Sequence, residues 1–171
     1  DARVGGGIAS DGTLAVTNCT VSRNAATVAA GGIGNDGTLT VISSTISGNV
    51  SAQGSAIGNS FSMTIANSIV QGDCYVLGLT SGGHNVESSG DTCGFNQDTD
   101  QVNVAPEELT LEDLADNGGP TQTHALSLGS VAIDQIRAED CVDADDEPLT
   151  TDQRGFPRDS MCDIGAFEVQ P

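Results

Sequence analysis

The chain has 171 residues and a mass of 17.2 kDa, a length for one domain. It carries 24 Asp and Glu against five Lys and Arg, a formal net charge of −19 at pH 7. A nucleic-acid binder or a polybasic membrane-surface protein needs the basic footprint that is missing here, and no apolar run approaches the ~20 residues of a membrane span.

Glycine is abundant, at 22 residues, but has no three-residue period, which excludes collagen. Val, Ile and Leu recur regularly, so the chain reads as ordered in spite of its charge. The acidic surface favours solubility, repels anions and can gather divalent cations.

In chain order, the first element is a repeat. Residues 5–24 read GGGIASDGTLAVTNCTVSRN, residues 31–49 GGIGNDGTLTVISSTISGN, and residues 54–72 GSAIGNSFSMTIANSIVQG. Ile8, Ile33 and Ile57 recur at spacings of 25 and 24, as do Leu14, Leu39 and Met63, and Val16, Val41 and Ile65. Val21, Ile46 and Val70 follow the same spacing. Inside each repeat the apolar residues alternate, as in Leu39-Thr40-Val41, and Gly, Asn, Asp and Ser interrupt them. That pattern predicts about three short strands per repeat. So short a repeat cannot bury its apolar face alone, and stacking copies solves the problem. The expected fold is all-β: a right-handed parallel β-helix over residues 1–72 with rungs ~4.8 Å apart. The four ladders above point inward, and Thr13, Thr38, Thr40 and Thr45 outward. Asn18, Ser43 and Asn67 stack at one corner, where a polar side chain could bond the backbone of the next rung. Cys19 aligns with Ser44 and Ser68 and reads as a small buried filler with a free thiol.

After Gly72 the period fails, and residues 73–171 read as an irregular portion of the same domain. Residues 105–117 predict a short helix opened by Pro106, and residues 121–126 and 130–134 predict strands. None of the five cysteines forms a CxxC pair, and His84 and His124 lack zinc spacing. Cys74, Cys93, Cys141 and Cys162 lie in this half, consistent with two disulfides and an exported protein. Four cysteines allow three pairings.

The strings ADNGGPTQTHAL (115–126), GSVAID (129–134), DQRGFPR (152–158) and CDIGAFE (162–168) resemble the C-terminal signature of choice-of-anchor Q domain proteins. The repeats at 5–24 and 31–49 are similar to that family's GGGIYNxGTLTVTNSTISGN units, so the resemblance covers nearly the whole chain, with its signature at 115–168. It implies a bacterial protein, extracellular or at the cell surface, built on a parallel β-helix, with no reaction common to the family. It also implies pairing of Cys74 with Cys93 and Cys141 with Cys162. Either bond would stabilise by ~3 kcal/mol.

Several groups have the residue types of chemistry. Asp11 and Asp36 occupy equivalent turns, where Asp is a good turn former. The acidic loop with Asp140, Asp143, Asp145, Asp146 and Glu147 is a weak candidate for Ca²⁺, the one cofactor the chain suggests, although its spacing is not that of an EF-hand. Asp98 and Asp100 read similarly. Arg154 is expected to pair with Asp134 or Asp163 and fix the C-terminal strands. His124 reads as a packing residue, and His84 as a locally bonded turn residue. Asn18 and Asn49 head N-glycan sequons.

The reading is a structural, non-enzymatic protein of the cell surface or extracellular space. An adhesin or glycan-binding module is the first alternative and a carbohydrate-active β-helix enzyme the second. A β-helix has open ends, so copies are expected to stack head to tail. Val4 would meet the last rung or an apolar strand holding Ile164, Phe167 and Val169 in the next copy.

Overall fold

Residues 5–171 are described by the structure, a computed structural model. The first repeat forms β1 (Ile8–Ser10), β2 (Leu14–Thr17) and β3 (Thr20–Ser22). The second forms β4 (Ile33–Asn35), β5 (Leu39–Ile42) and β6 (Thr45–Ser47), and the third β7 (Ile57–Asn59), β8 (Met63–Ala66) and β9 (Ile69–Gln71). Each strand runs parallel to its counterpart in the next rung, with Ile8 opposite Ile33 and Ile33 opposite Ile57. Leu14, Leu39 and Met63 are likewise in register, as are Val16, Val41 and Ile65. Three parallel sheets of four, four and five strands thus surround one apolar interior, an all-β solenoid of the β-helix kind. Ile33, Leu39, Val41, Ile57, Met63 and Ile65 are fully buried, whereas Ile8 and Leu14 of the first rung are half-buried.

The coil does not end at Gly72. β10 (Cys74–Val76), β11 (Leu79–Gly83) and β12 (Val86–Ser88) build a fourth rung, and β13 (Gln101–Val104) extends the third sheet. The spacing drops to 17 residues from Ile57 to Cys74 and from Ile69 to Val86. The segments joining earlier rungs, 23–32 and 48–56, shrink here to Gly72 and Asp73. The columns also change chemistry. Cys74 ends the Ile8–Ile33–Ile57 column, Ser81 the Val16–Val41–Ile65 column, and Glu87 the Val21–Ile46–Val70 column.

These three residues fasten a cover over the far end. Cys74 and Cys93 are joined by a disulfide with Cα atoms 4.8 Å apart. The buried Glu87 carboxylate accepts the N–H groups of Thr92 (2.6 Å) and Cys93 (3.1 Å). Ser81 Oγ donates to Asp100 at 2.6 Å, and Phe95 packs onto the core.

The rest of the chain has little regular structure. It holds α1 (Pro106–Leu109), the antiparallel pair β14 (Ile136–Arg137) and β15 (Met161–Cys162), and isolated bridges such as Leu111–Leu126 and Ala115–Thr123. The short helix expected within 105–117 forms, opened by Pro106, and ends at Leu109, where Thr110 takes φ 45°. Residues 121–126 contribute only bridges, 131–134 form turns, and 164–166 form a bend followed by irregular chain rather than strand. The reason is that side chains, not neighbouring strands, satisfy this backbone. Ser130 Oγ bonds the Leu109 carbonyl, Asp163 accepts the N–H groups of Asp134 and Val169, and Glu168 accepts that of Asp163.

This portion lies along the outer face of the third sheet rather than over an end. Ile69 and Val86 on that face form a second core with Leu109, Ala132, Ile136 and Ile164. Its contacts reach from Asn18 and Ser22 in the first rung to Gln101 in β13. Thr45 does point outward but is buried beneath it, and Thr45 Oγ1 accepts the Ala166 N–H at 3.1 Å. A second disulfide, Cys141–Cys162, with Cα atoms 6.4 Å apart, staples the portion to itself.

The corner column also differs from expectation. Asn18, Ser43 and Asn67 share positive φ (55°, 45° and 55°), but Asn18 and Asn67 donate to the carbonyls of Thr151 and Asp140 in the C-terminal portion. Rung-to-rung bonds come from the adjacent column: Cys19 N–H to Ser44 Oγ (3.2 Å), Ser44 N–H to Ser68 Oγ (3.1 Å) and Ser68 N–H to Asn85 Oδ1 (3.1 Å). Cys19 is free and exposed rather than a buried filler, because among the described residues no rung lies beyond the first.

Candidate functional site

The outer face of the second sheet forms the floor of a cleft of about 880 Å³. β5 and β8 contribute Thr40, Ile42, Thr64 and Ala66, and residues 96–99 and 139–146 form the walls. One wall is tied down by the Asn67 bond to the Asp140 carbonyl. The other is held by Thr99 Oγ1, which accepts the His84 N–H, and by the Asp100 carboxylate, which receives Ser81 and Asn85. His84 stands where this cleft meets a second one of about 430 Å³. Asp98, Glu139, Asp140, Asp143 and Asp146 give the lining a negative field.

The calcium candidates Asp143, Asp145, Asp146 and Glu147 do not converge. Asp143 Oδ1 is occupied by its own turn, accepting the N–H groups of Asp145 (2.9 Å) and Glu147 (3.1 Å). Among the described residues no three His, Cys, Asp or Glu side chains gather as a metal site. The two sequon asparagines are also engaged. Asn18 Oδ1 accepts from Arg158 while Nδ2 donates to Thr151. Asn49 is buried, with Oδ1 accepting the Asn24 N–H and Nδ2 donating to the Val21 carbonyl.

The densest constellation lies inside the C-terminal portion, where residues 152–158 meet 162–168. Arg154 pairs with Asp152 at 2.7 Å, not with Asp134 or Asp163, and lies 3.6 Å over the Phe167 ring. Arg158 pairs with Glu168 at 3.0 Å and donates to the carbonyls of Asp163 and Gly165. Burial pushes Glu168 up to about 7, against the pull of the Asp163 N–H and Arg158. Burial likewise raises Asp163 and lowers Arg158.

The chain matches no family model, and neither a curated protein nor a solved structure matches it.

His124 makes a further clasp to the solenoid. Its Nδ1 lies 2.6 Å from the Glu112 carbonyl and its Nε2 2.8 Å from Ser22 Oγ. Burial holds its pKa below the usual histidine value, so the neutral ring donates through Nδ1 and accepts from Ser22.

Of the residues expected at a subunit contact, Val4 lies outside the described residues. Ile164 and Phe167 are buried in the C-terminal portion and Val169 is half-buried, so they offer no strand to a neighbour. The sheet edges are instead β1, β2 and β3 at one end and β10, β11 and β13 at the other, with Tyr75 of β10 and Leu77 just after it exposed. Glu87, Phe95 and Glu168 escape a sequence reading based on the 25-residue period. Glu87 follows Val70 by 17 residues, a signal legible only if the shorter spacing is allowed.

Proposed function

We propose that the chain is a structural, non-enzymatic protein of the cell surface or extracellular space. In this reading it is a right-handed β-helix of the kind the choice-of-anchor Q resemblance implies, and copies stack head to tail. One observation carries the reading. The groups that look catalytic by type, namely Asp152, Arg154, Arg158, Asp163, Glu168 and His124, are spent on holding the C-terminal portion together and against the solenoid. Two disulfides are compatible with an oxidising compartment. The joint would set the first rung of one copy against the covered far end of the next, beside Tyr75 and Leu77, which stay exposed there and add apolar surface. Such a contact joins two different surfaces and propagates. The charge of −19 opposes it, so salt or cations should promote assembly.

Sedimentation velocity and electron microscopy, at low and high salt with and without chelator, test this reading. Rods that lengthen with salt are expected, and a monomer under every condition removes stacking from it. The cleft favours a second reading, a glycan-binding module. Its hydrogen-bonding groups, on Thr40, Thr64, Asn67 and His84, suit hydroxyl-rich ligands, and its carboxylates disfavour anionic ones. A glycan array decides that reading, with neutral glycans expected as the hits.

A further inference from the structure

Three carboxylates and two guanidiniums are buried together in the C-terminal portion. The Asp152 and Glu168 side chains are 0% and 1% exposed, those of Arg154 and Arg158 are 5% and 1%, and Asp163 as a residue is 1%. The solenoid contributes only neutral partners here: Asn18 Oδ1 to Arg158, Thr45 Oγ1 to the Ala166 N–H, and the Asn67 carbonyl to the Gly165 N–H. At the rim, Asp134 and Asp159 approach through their N–H groups, to Asp163 and Glu168 respectively, and their exposed side chains add negative charge. Fully ionised, the cluster has one carboxylate more than it has guanidiniums. An unbalanced charge in so dry a place is costly, and one proton removes the imbalance.

We propose that this cluster is a proton-binding site that latches the C-terminal portion onto the side of the solenoid. The donors decide where the proton sits. Asp152 receives four: the N–H groups of Arg154, Phe156 and Glu168, and Arg154 Nε. Asp163 receives one backbone N–H on each oxygen. Glu168 Oε2 receives Arg158 and the Asp163 N–H, whereas Oε1 has only the Asp159 N–H at 3.3 Å. Glu168 Oε1 is therefore the oxygen that holds the proton. Arg158 carries the state of the site outward, because the same guanidinium grips Glu168, the Gly165 carbonyl and Asn18 of the first rung. When the proton leaves, the excess charge falls on the segment that delivers Gly165 and Ala166 to Asn67 and Thr45.

The direction follows from linkage. The folded chain holds this proton more tightly than the unfolded chain does, so docking is strongest below the folded-state midpoint and weakens as pH rises through it. The upward shifts of Glu168 and Asp163 have that sign. His124 is shifted the other way by burial, so its contribution to stability has the opposite dependence on pH and cannot produce this one.

The experiment uses the full chain. Carboxyl ¹³C NMR follows Glu168, and thermal melts and amide exchange at Gly165 and Ala166 are compared at pH 6.5 and 8.5. The expected results are a Glu168 midpoint of about 7, melting roughly 2–4 °C higher at pH 6.5, and faster exchange at pH 8.5 after correction for base catalysis. Glu168→Gln, which carries the neutral form permanently, should lose the pH dependence of both melting and exchange. A variant that keeps the full dependence overturns the proposal. Should that variant not fold, the wild-type spectra decide alone: a Glu168 carboxyl still ionised at pH 5 overturns it.

Discussion

Ile8 and Ile33 occupy the same inward column one rung apart, which makes them a matched pair for measuring how much each rung shelters its neighbour. Ile33 lies between Ile8 and Ile57 and is fully buried. Ile33→Ala removes three carbons, about 2.4 kcal/mol of transfer free energy at ~0.8 per methylene. The rungs on either side are tied by backbone ladders and can close little of the void, so a cavity term brings the loss to about 4 kcal/mol. Ile8 is half-buried, and the same truncation there should cost about 1–2 kcal/mol. The chain lacks Trp and its one Tyr is exposed, so far-UV circular dichroism in urea is the suitable readout, with an unchanged slope confirming that the two variants unfold alike. Equal losses at both positions would refute the stacked-column account. Ile33→Asp should prevent folding, whereas Thr40→Asp, on the outer face, should cost within ~1 kcal/mol.

Replacing Cys141 and Cys162 together by Ser should cost about 3 kcal/mol and raise hydrogen exchange first in residues 132–166, with β4–β9 still protected; uniform loss of protection would mean that the two halves unfold as one. All five basic residues are Arg and there is no Lys, so raising NaCl from 50 mM to 1 M should lift the melting temperature by screening the charge of −19. A flat salt series would show that the repulsion is already balanced within the fold. Expression through a eukaryotic secretory pathway should leave Asn18 and Asn49 without glycans, because both amides are committed to internal bonds. Intact-mass spectrometry checks this, and a glycan at either position would mean that the amide there is not held by its internal bonds.

The first three rungs are legible in the sequence because each inward column keeps its hydrophobic identity at a constant spacing. The fourth is hidden by two simultaneous changes. Its connection shortens to Gly72 and Asp73, and its column positions turn into Cys74, Ser81 and Glu87, the residues that close the end. Alternation assigns Thr45 correctly to the outer face but cannot reveal that a segment 121 residues away covers it. The string at 152–158 looks catalytic because Asp and Arg are residue types of active sites. The pairings are what separate a brace from a catalyst, and Arg154 reaches Asp152 by a bend that no periodicity encodes. The glycine at 165 is one place where backbone freedom is required: φ is +101°, and a Cβ there would meet Thr45 Oγ1 at 2.8 Å and Ile69 Cδ1 at 2.9 Å.

Solenoids usually tolerate the gain or loss of a repeat, since each unit touches only its neighbours. The lateral brace removes that freedom. It grips Asn18 and Ser22 in the first rung, Thr45 in the second, Asn67 in the third and Gln101 in β13, each with a different residue of one folded segment. An extra rung inserted between β6 and β7 would slide Asn18 and Thr45 about 4.8 Å out of reach of Arg158 and Ala166 while leaving Asn67 and Gln101 in place. The segment works as a caliper, set to one length of coil. Duplication, the commonest way for a repeat protein to grow, would here cost the chain its longest-range bonds.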